Sequence, residues 1–124
     1  MTLKSGPEHV SRRSAACFCY MTAGSREEAL RIGRALVEER LAACTNLIEG
    51  MTSIYRWQGA IQEDAEVVLI AKTRPDLVTR LTERVKALHS YDCPCVIALP
   101  VDGGNQAFID WIAAETSAPF QQTS

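Results

Sequence analysis

The chain has no surplus of positive charge. Lysine and arginine number 13 against 15 aspartates and glutamates, for a formal charge of −2. It therefore lacks the cationic excess with which nucleic-acid binders neutralise phosphates, and no nucleic-acid partner is expected. No apolar run approaches the roughly 18 residues needed to span a bilayer, so no membrane partner is expected either. Met1 to Ser14 carries Lys4, His9, Arg12 and Arg13 but no apolar core of a signal peptide. That stretch reads as a disordered tail or cloning remnant, and the expected location is cytoplasmic.

Other absences concern chemistry. The cysteines number 5, an odd count without an export signal, which argues for free thiols rather than a disulfide framework. Cys17 with Cys19, and Cys93 with Cys95, are C-x-C pairs, not the C-x-x-C of zinc ribbons or redox motifs. Gly103-Gly104-Asn105 precedes a helical pattern but has neither the spacing nor the lysine of a P-loop. It reads as an ordinary helix start. No hydroxyl or thiol has an adjacent base with an orienting third group, and no carboxylate pair is placed for acid–base work. The sequence offers no support for an enzyme.

What is present is a single domain, expected over residues 15–116, followed by a polar tail at 117–124. Its central feature is a long hairpin. Cys44 to Trp57 is rich in β-branched and aromatic residues, Gly50 marks a bulge, Gln58-Gly59-Ala60 supplies a turn, and the chain returns through Ile61 to Lys72. Limbs this long exceed the usual five or six residues of a strand and predict an arm that overhangs its own core.

Around the hairpin, Ala15 to Ala23 is an apolar run of strand length. Ser25 and Glu28 have capping-box spacing, and Ala29, Ile32, Gly33, Leu36 and Val37 recur at helical period, predicting a helix over Arg26 to Arg40. A second helix opens near Pro75 and runs to Leu88 on Leu77, Val78, Leu81 and Val85. The loop 89–94 leads to a strand from Cys95 to Leu99. A short third helix is expected to bury Ala107, Phe108, Trp111 and Ile112.

The order β-α-β-β-α-β plus a terminal helix is the split βαβ, ferredoxin-like α+β arrangement. Both helices then cover one face of the sheet. Ala15 to Met21 and Val67 to Ala71 are nevertheless apolar at every position, so the second face needs cover as well. Self-association is the simplest source of it. The RNA-recognition version of the fold is not supported, because Val67 to Ala71 carries no stacking aromatic.

Several residues are candidates for function. His89 stands in a loop with Tyr91, Asp92 and Cys93, and a neutral imidazole near sulfur suits copper or zinc. Tyr55 and Trp57, near the hairpin tip, suit an interface or a cleft wall. Strand order places Cys17 and Cys19 away from Cys93 and Cys95, which argues against a four-thiolate cluster and leaves Met21 as the sulfur expected nearest Cys93.

Leu41-Ala-Ala-Cys-Thr-Asn, Thr52-Ser-Ile-Tyr-Arg-Trp-Gln-Gly, Lys72-Thr, Leu88-His-Ser-Tyr-Asp-Cys-Pro and Ile97-Ala-Leu-Pro, with Gly104-Asn and Trp111, closely resemble the CutA divalent-cation-tolerance family over about Cys19 to Thr116. The resemblance implies a homotrimer whose hairpins reach across neighbours, like the trimer of PII-type signalling proteins. It implies a link to copper, with zinc or another divalent cation as alternatives. His89 matches the family's loop histidine and Cys44 the cysteine of its Leu-Ala-Ala-Cys motif. Tyr55, Trp57, Lys72 and Tyr91 match residues lining the cleft between subunits. Met21 stands where some members have cysteine, and Pro94-Cys95 replaces the usual Pro-Glu. Met21, His89, Cys93 and Cys95 are therefore expected to form a softer metal site. The competing expectation is a PII-like sensor that holds a small anion with Lys72, Tyr55 and Trp57.

Overall fold

The computed structural model describes residues 15–117. The expected tail at 1–14, and all of 117–124 except Ser117, lie outside them. The element order is β1 (Cys17–Ala23), α1 (Arg26–Glu38), β2 (Cys44–Trp57), β3 (Ala60–Thr73), a 3-10 turn (Pro75–Leu77), α2 (Val78–Leu88), β4 (Val96–Pro100) and α3 (Gln106–Glu115). The sheet order is β2-β3-β1-β4, antiparallel throughout. This is the α+β ferredoxin-like arrangement predicted from the sequence. Among the described residues no helix is long and apolar enough to cross a membrane.

The core lies between the sheet and the first two helices. Cys19 and Met21 of β1 and Leu69 and Ala71 of β3 meet Ile32 and Leu36 of α1 and Leu81 and Val85 of α2, all at most 1% exposed. Removing such a buried Leu or Ile side chain typically costs about 2–5 kcal/mol. Gly33 brings α1 close to β2: a Cβ there would lie 2.9 Å from Thr45 Oγ1, whose hydroxyl donates to the Gly33 carbonyl at 3.3 Å.

α1 ends earlier than predicted, at Glu38, in a Schellman motif. The Leu41 amide donates to the Leu36 carbonyl and the Arg40 amide to that of Val37. Arg40 occupies the left-handed position, φ 59°, that glycine usually takes. Its guanidinium reaches the Glu115 carbonyl at 2.9 Å, a long-range contact that no helical period reveals.

The hairpin is as long as the sequence implied, with 14 residues in each limb. The register slips by one residue between Ile48 and Met51, and Gly50 takes φ +88° within that bulge. Gln58 and Gly59, at φ 51° and 82°, form the two-residue turn between Trp57 and Ala60. β1 pairs with β3 only over Val67 to Thr73, so within the sheet the outer half, Met51–Trp57 and Ala60–Glu66, pairs only with itself. That is the predicted overhang.

One expectation fails in α3. Ile109 and Ile112 are the buried pair, against Ala16 and Ala43, while Phe108 and Trp111 are 43% and 40% exposed and Ala107 is exposed. α3 meets only the end of the sheet, and a single i,i+3 pair fills that small contact. Phe108 and Trp111 stack on each other on the adjacent helix face, and Lys72 Nζ lies 5.8 Å from the Phe108 ring centroid.

The face of the sheet turned away from α1 and α2 carries Phe18, Tyr20, Ile70, Ile97, Leu99 and Ile48, by alternation and register. Phe18, Ile48, Ile97 and Leu99 are 37–55% exposed.

Candidate functional site

The residues singled out from the sequence divide between three places. Register fixes the division, because Cys44 pairs with Lys72 and Lys72 with Phe18 near the start of β1, whereas Thr22 pairs with Val68 near its end. Cys44 and Lys72 lie at one end of the sheet, where Lys72 Nζ donates to Asn46 Oδ1 at 2.8 Å. Tyr55, Trp57, Tyr91, Cys93 and Cys95 lie at the other and line one cavity with Thr22, Glu66 and Asp92, about 370 Å³ in volume. Met21 is in neither place. It sits 1% exposed in the core, on the helix side of the sheet.

The loop that supplies Tyr91, Asp92 and Cys93 is held by two buried groups. Glu28, in the first turn of α1, accepts the Ser90 amide proton on Oε2 at 2.7 Å and the Gly24 amide proton on Oε1 at 3.3 Å. Burial alone would push this carboxyl up, but the Ser90 amide and side chain and the Gly24 amide outweigh it and hold it below the usual range. The Ser25 hydroxyl accepts the Glu28 amide proton at 3.1 Å, half of the expected capping box. The other half is redirected: the carboxylate serves Gly24 and the distant loop.

His89 is the second anchor, and here the structure departs from expectation. Its side chain is 1% exposed. Nε2 lies 2.8 Å from the Thr22 carbonyl, which can only accept, so Nε2 carries the proton and donates it. Nδ1 then accepts the Tyr91 amide proton at 3.1 Å. Both ring nitrogens are engaged by backbone, and no lone pair is left to face a metal. His89 shapes the loop, and in this arrangement it is not placed as a ligand.

Inside the cavity the polar groups form a short network. Glu66 accepts the Ser53 hydroxyl proton on Oε1 at 2.6 Å and the Tyr91 hydroxyl proton on Oε2 at 2.7 Å. Tyr55 donates its hydroxyl to Asp64. Burial, followed by the Glu66 contact, pushes the Tyr91 phenol up, and the Asp64 carboxylate does the same for Tyr55. Cys93 is exposed and Cys95 half-buried, and burial and then Glu66 raise the Cys95 thiol. Among the described residues, no lysine or arginine lines the cavity. Among the described residues, no three His, Cys, Asp or Glu side chains converge enough to hold an ion.

The remaining cysteines do not join them. Cys17 and Cys19 are buried, opposite Pro100 and Ala98 of β4, and Cys19 sits in the core on the helix side of the sheet, whereas Cys95 lines the cavity on the other side. Cys17, and then burial, push the Cys19 thiol above its ordinary range. The expected softer site thus reduces to Cys93 and Cys95, without Met21 or the His89 ring. Sequence reasoning missed Glu28 and Glu66. Ser25-x-x-Glu28 marked the first only as a cap, and no local pattern marks the second.

Comparison with known proteins places the chain in context. Residues 10–115 match the profile of the CutA1 divalent ion tolerance protein family. The divalent-cation tolerance protein CutA of Thermus thermophilus is 51% identical over 96 residues, covering 77% of this chain and 93% of that protein. The chloroplastic protein CutA 1 of Oryza sativa is 43% identical over 109 residues, 88% of this chain but 62% of that longer protein. The solved structure of the Thermus thermophilus divalent cation tolerance protein superposes with a TM-score of 0.81 at 48% identity, covering 82% of this chain and 99% of that one.

Proposed function

This chain belongs to the CutA1 divalent ion tolerance family, and from that premise we propose that it is a cytoplasmic homotrimer that binds a metal ion, copper foremost, in the cavity beside the outer half of the hairpin. The observation that carries the reading is the cavity lining. Glu66, Asp92, Cys93 and Cys95 are all anionic or able to become so, and among the described residues no lysine or arginine joins them in the lining. Such a site attracts cations and repels phosphate-like ligands. One chain supplies sulfur and carboxylate donors, and further coordination positions fall to water or to a neighbouring copy.

Trimerisation is supported by the uncovered apolar face of Phe18, Ile48, Ile97 and Leu99 and by the overhanging hairpin. The PII-like alternative gains no support from one chain, since Lys72 lies at the other end of the sheet from Tyr55, Trp57 and Tyr91. The role is tolerance through binding, without a catalytic step. It is tested by titrating reduced protein with Zn(II) and copper while reading native mass. Saturable binding by an intact trimer supports the reading. Affinity no tighter than about micromolar, roughly −8 kcal/mol, contradicts it.

A further inference from the structure

Of the oxygen and nitrogen donors around the cavity, those of His89, Glu66 and Tyr55 are engaged already. Both His89 nitrogens hold backbone groups. Each Glu66 oxygen accepts a hydroxyl proton, one from Ser53 and one from Tyr91. The Tyr55 hydroxyl is turned to Asp64. The two sulfurs are different. Cys93 is exposed, and among the described residues the half-buried Cys95 has one long contact, 4.0 Å from its Sγ to the Tyr20 carbonyl. Both line the same cavity.

The number of converging donors also matters. Structural zinc is held in a closed tetrahedron of four ligands, and the described residues of one chain bring no three suitable side chains together. Hard ions such as Mg(II) and Mn(II) favour several oxygen ligands, whereas here each Glu66 oxygen already accepts one hydroxyl proton and Asp92 is the other lining carboxylate; thiolates select soft ions. A closed-shell d10 ion can be satisfied by two sulfurs in line.

We propose that Cys93 and Cys95 together bind one soft d10 metal ion, Cu(I) or its heavier analogues Ag(I) and Hg(II), as a two-coordinate bis-thiolate at the mouth of the cavity. This rests on the metal-binding reading above and names the class of ion. On binding, two S–H bonds break and two sulfur–metal bonds form. Both protons pass to solvent, and no electrons are transferred. Pro94 between the pair fixes its own φ and biases Cys93 toward extended backbone, so little chain freedom remains to be lost. Tyr55, Trp57 and Tyr91 wall the cavity beside the sulfurs.

The test uses the reduced full-length chain under anaerobic conditions. Cu(I) is titrated in competition with a chromogenic Cu(I) chelator, Zn(II) is titrated in parallel, and native mass reports assembly. Wild type is compared with Cys93→Ser, Cys95→Ser and, as a control at the other end of the sheet, Cys44→Ser. The expected result is about one Cu(I) per chain with an ultraviolet thiolate-to-copper charge-transfer band. Losing an outer-shell partner of a metal ligand costs about 10–100-fold in affinity, so losing one of two ligands is expected to cost at least about a hundredfold. Cys44→Ser should leave the affinity unchanged. Cu(I) binding that survives both serine variants, or that weakens equally in Cys44→Ser, overturns the proposal. Zn(II) binding without Cu(I) binding overturns the soft-ion assignment while the metal reading stands. Binding of neither ion overturns both.

Discussion

The Glu28 carboxylate accepts the Ser90 amide proton at 2.7 Å, joining the first turn of α1 to a loop 62 residues away in the chain. The same carboxylate caps Gly24, so the end of β1, the start of α1 and the cavity loop meet at one buried group. His89 completes the anchorage through Thr22. Tyr91, Asp92 and Cys93 thus reach the cavity from a loop whose backbone is fixed from inside the fold.

Glu28→Ala should leave the Ser90 and Gly24 amides without their acceptor. The expected cost is about 1–3 kcal/mol in urea unfolding, with faster amide exchange at Ser90 and Tyr91. A change within about 0.5 kcal/mol, as at an ordinary surface site, would show that the anchor does not matter.

The same group predicts a response to acid. Its folded pKa is depressed, so its stabilisation is complete above the unfolded value of about 4.3 and is lost as pH falls through the lower folded value. From about pH 5 downward, wild type should lose more stability than Glu28→Gln. Parallel curves for the two proteins would contradict this.

His89→Ala removes the partner of both the Thr22 carbonyl and the Tyr91 amide. Thermal unfolding should register a loss of about 1–3 kcal/mol. Cu(I) affinity should fall less than in either Cys93→Ser or Cys95→Ser. If His89→Ala is the most damaging of the three to Cu(I) affinity and leaves stability intact, the ring is a ligand after all.

Much of this could be read from the sequence because local chemistry decided it. The bulge at Gly50, the turn at Gln58-Gly59, Pro75 in the first turn before α2 and the Asn105 cap, whose side chain accepts the Ala107 amide proton at 3.1 Å, each follow from a residue's own conformational preference. The site was less legible because its geometry is tertiary. Met21 and Thr22 are adjacent in β1 but face opposite sides of the sheet, which sends one into the core and the other to the cavity. Whether an imidazole nitrogen is free depends on carbonyls and amides that only the folded chain brings near it. α3 misled because Phe108-x-x-Trp111 and Ile109-x-x-Ile112 have the same spacing, and only the docked helix distinguishes them.

The uncovered sheet face predicts what would hold the proposed trimer. Ile97→Lys puts a charge on a residue that is 55% exposed in the single chain, so the subunit fold should survive, with far-ultraviolet circular dichroism unchanged. Native mass should shift from trimer toward monomer. A trimer that persists at the same protein concentration would locate the interface elsewhere.

Locating the bound metal tests the central claim most directly. Crystals of the Cu(I)-loaded protein, with data collected on both sides of the copper absorption edge, should show one anomalous peak per chain between Cys93 Sγ and Cys95 Sγ. A peak against the His89 ring, or at the Cys44 and Lys72 end of the sheet, would contradict the account.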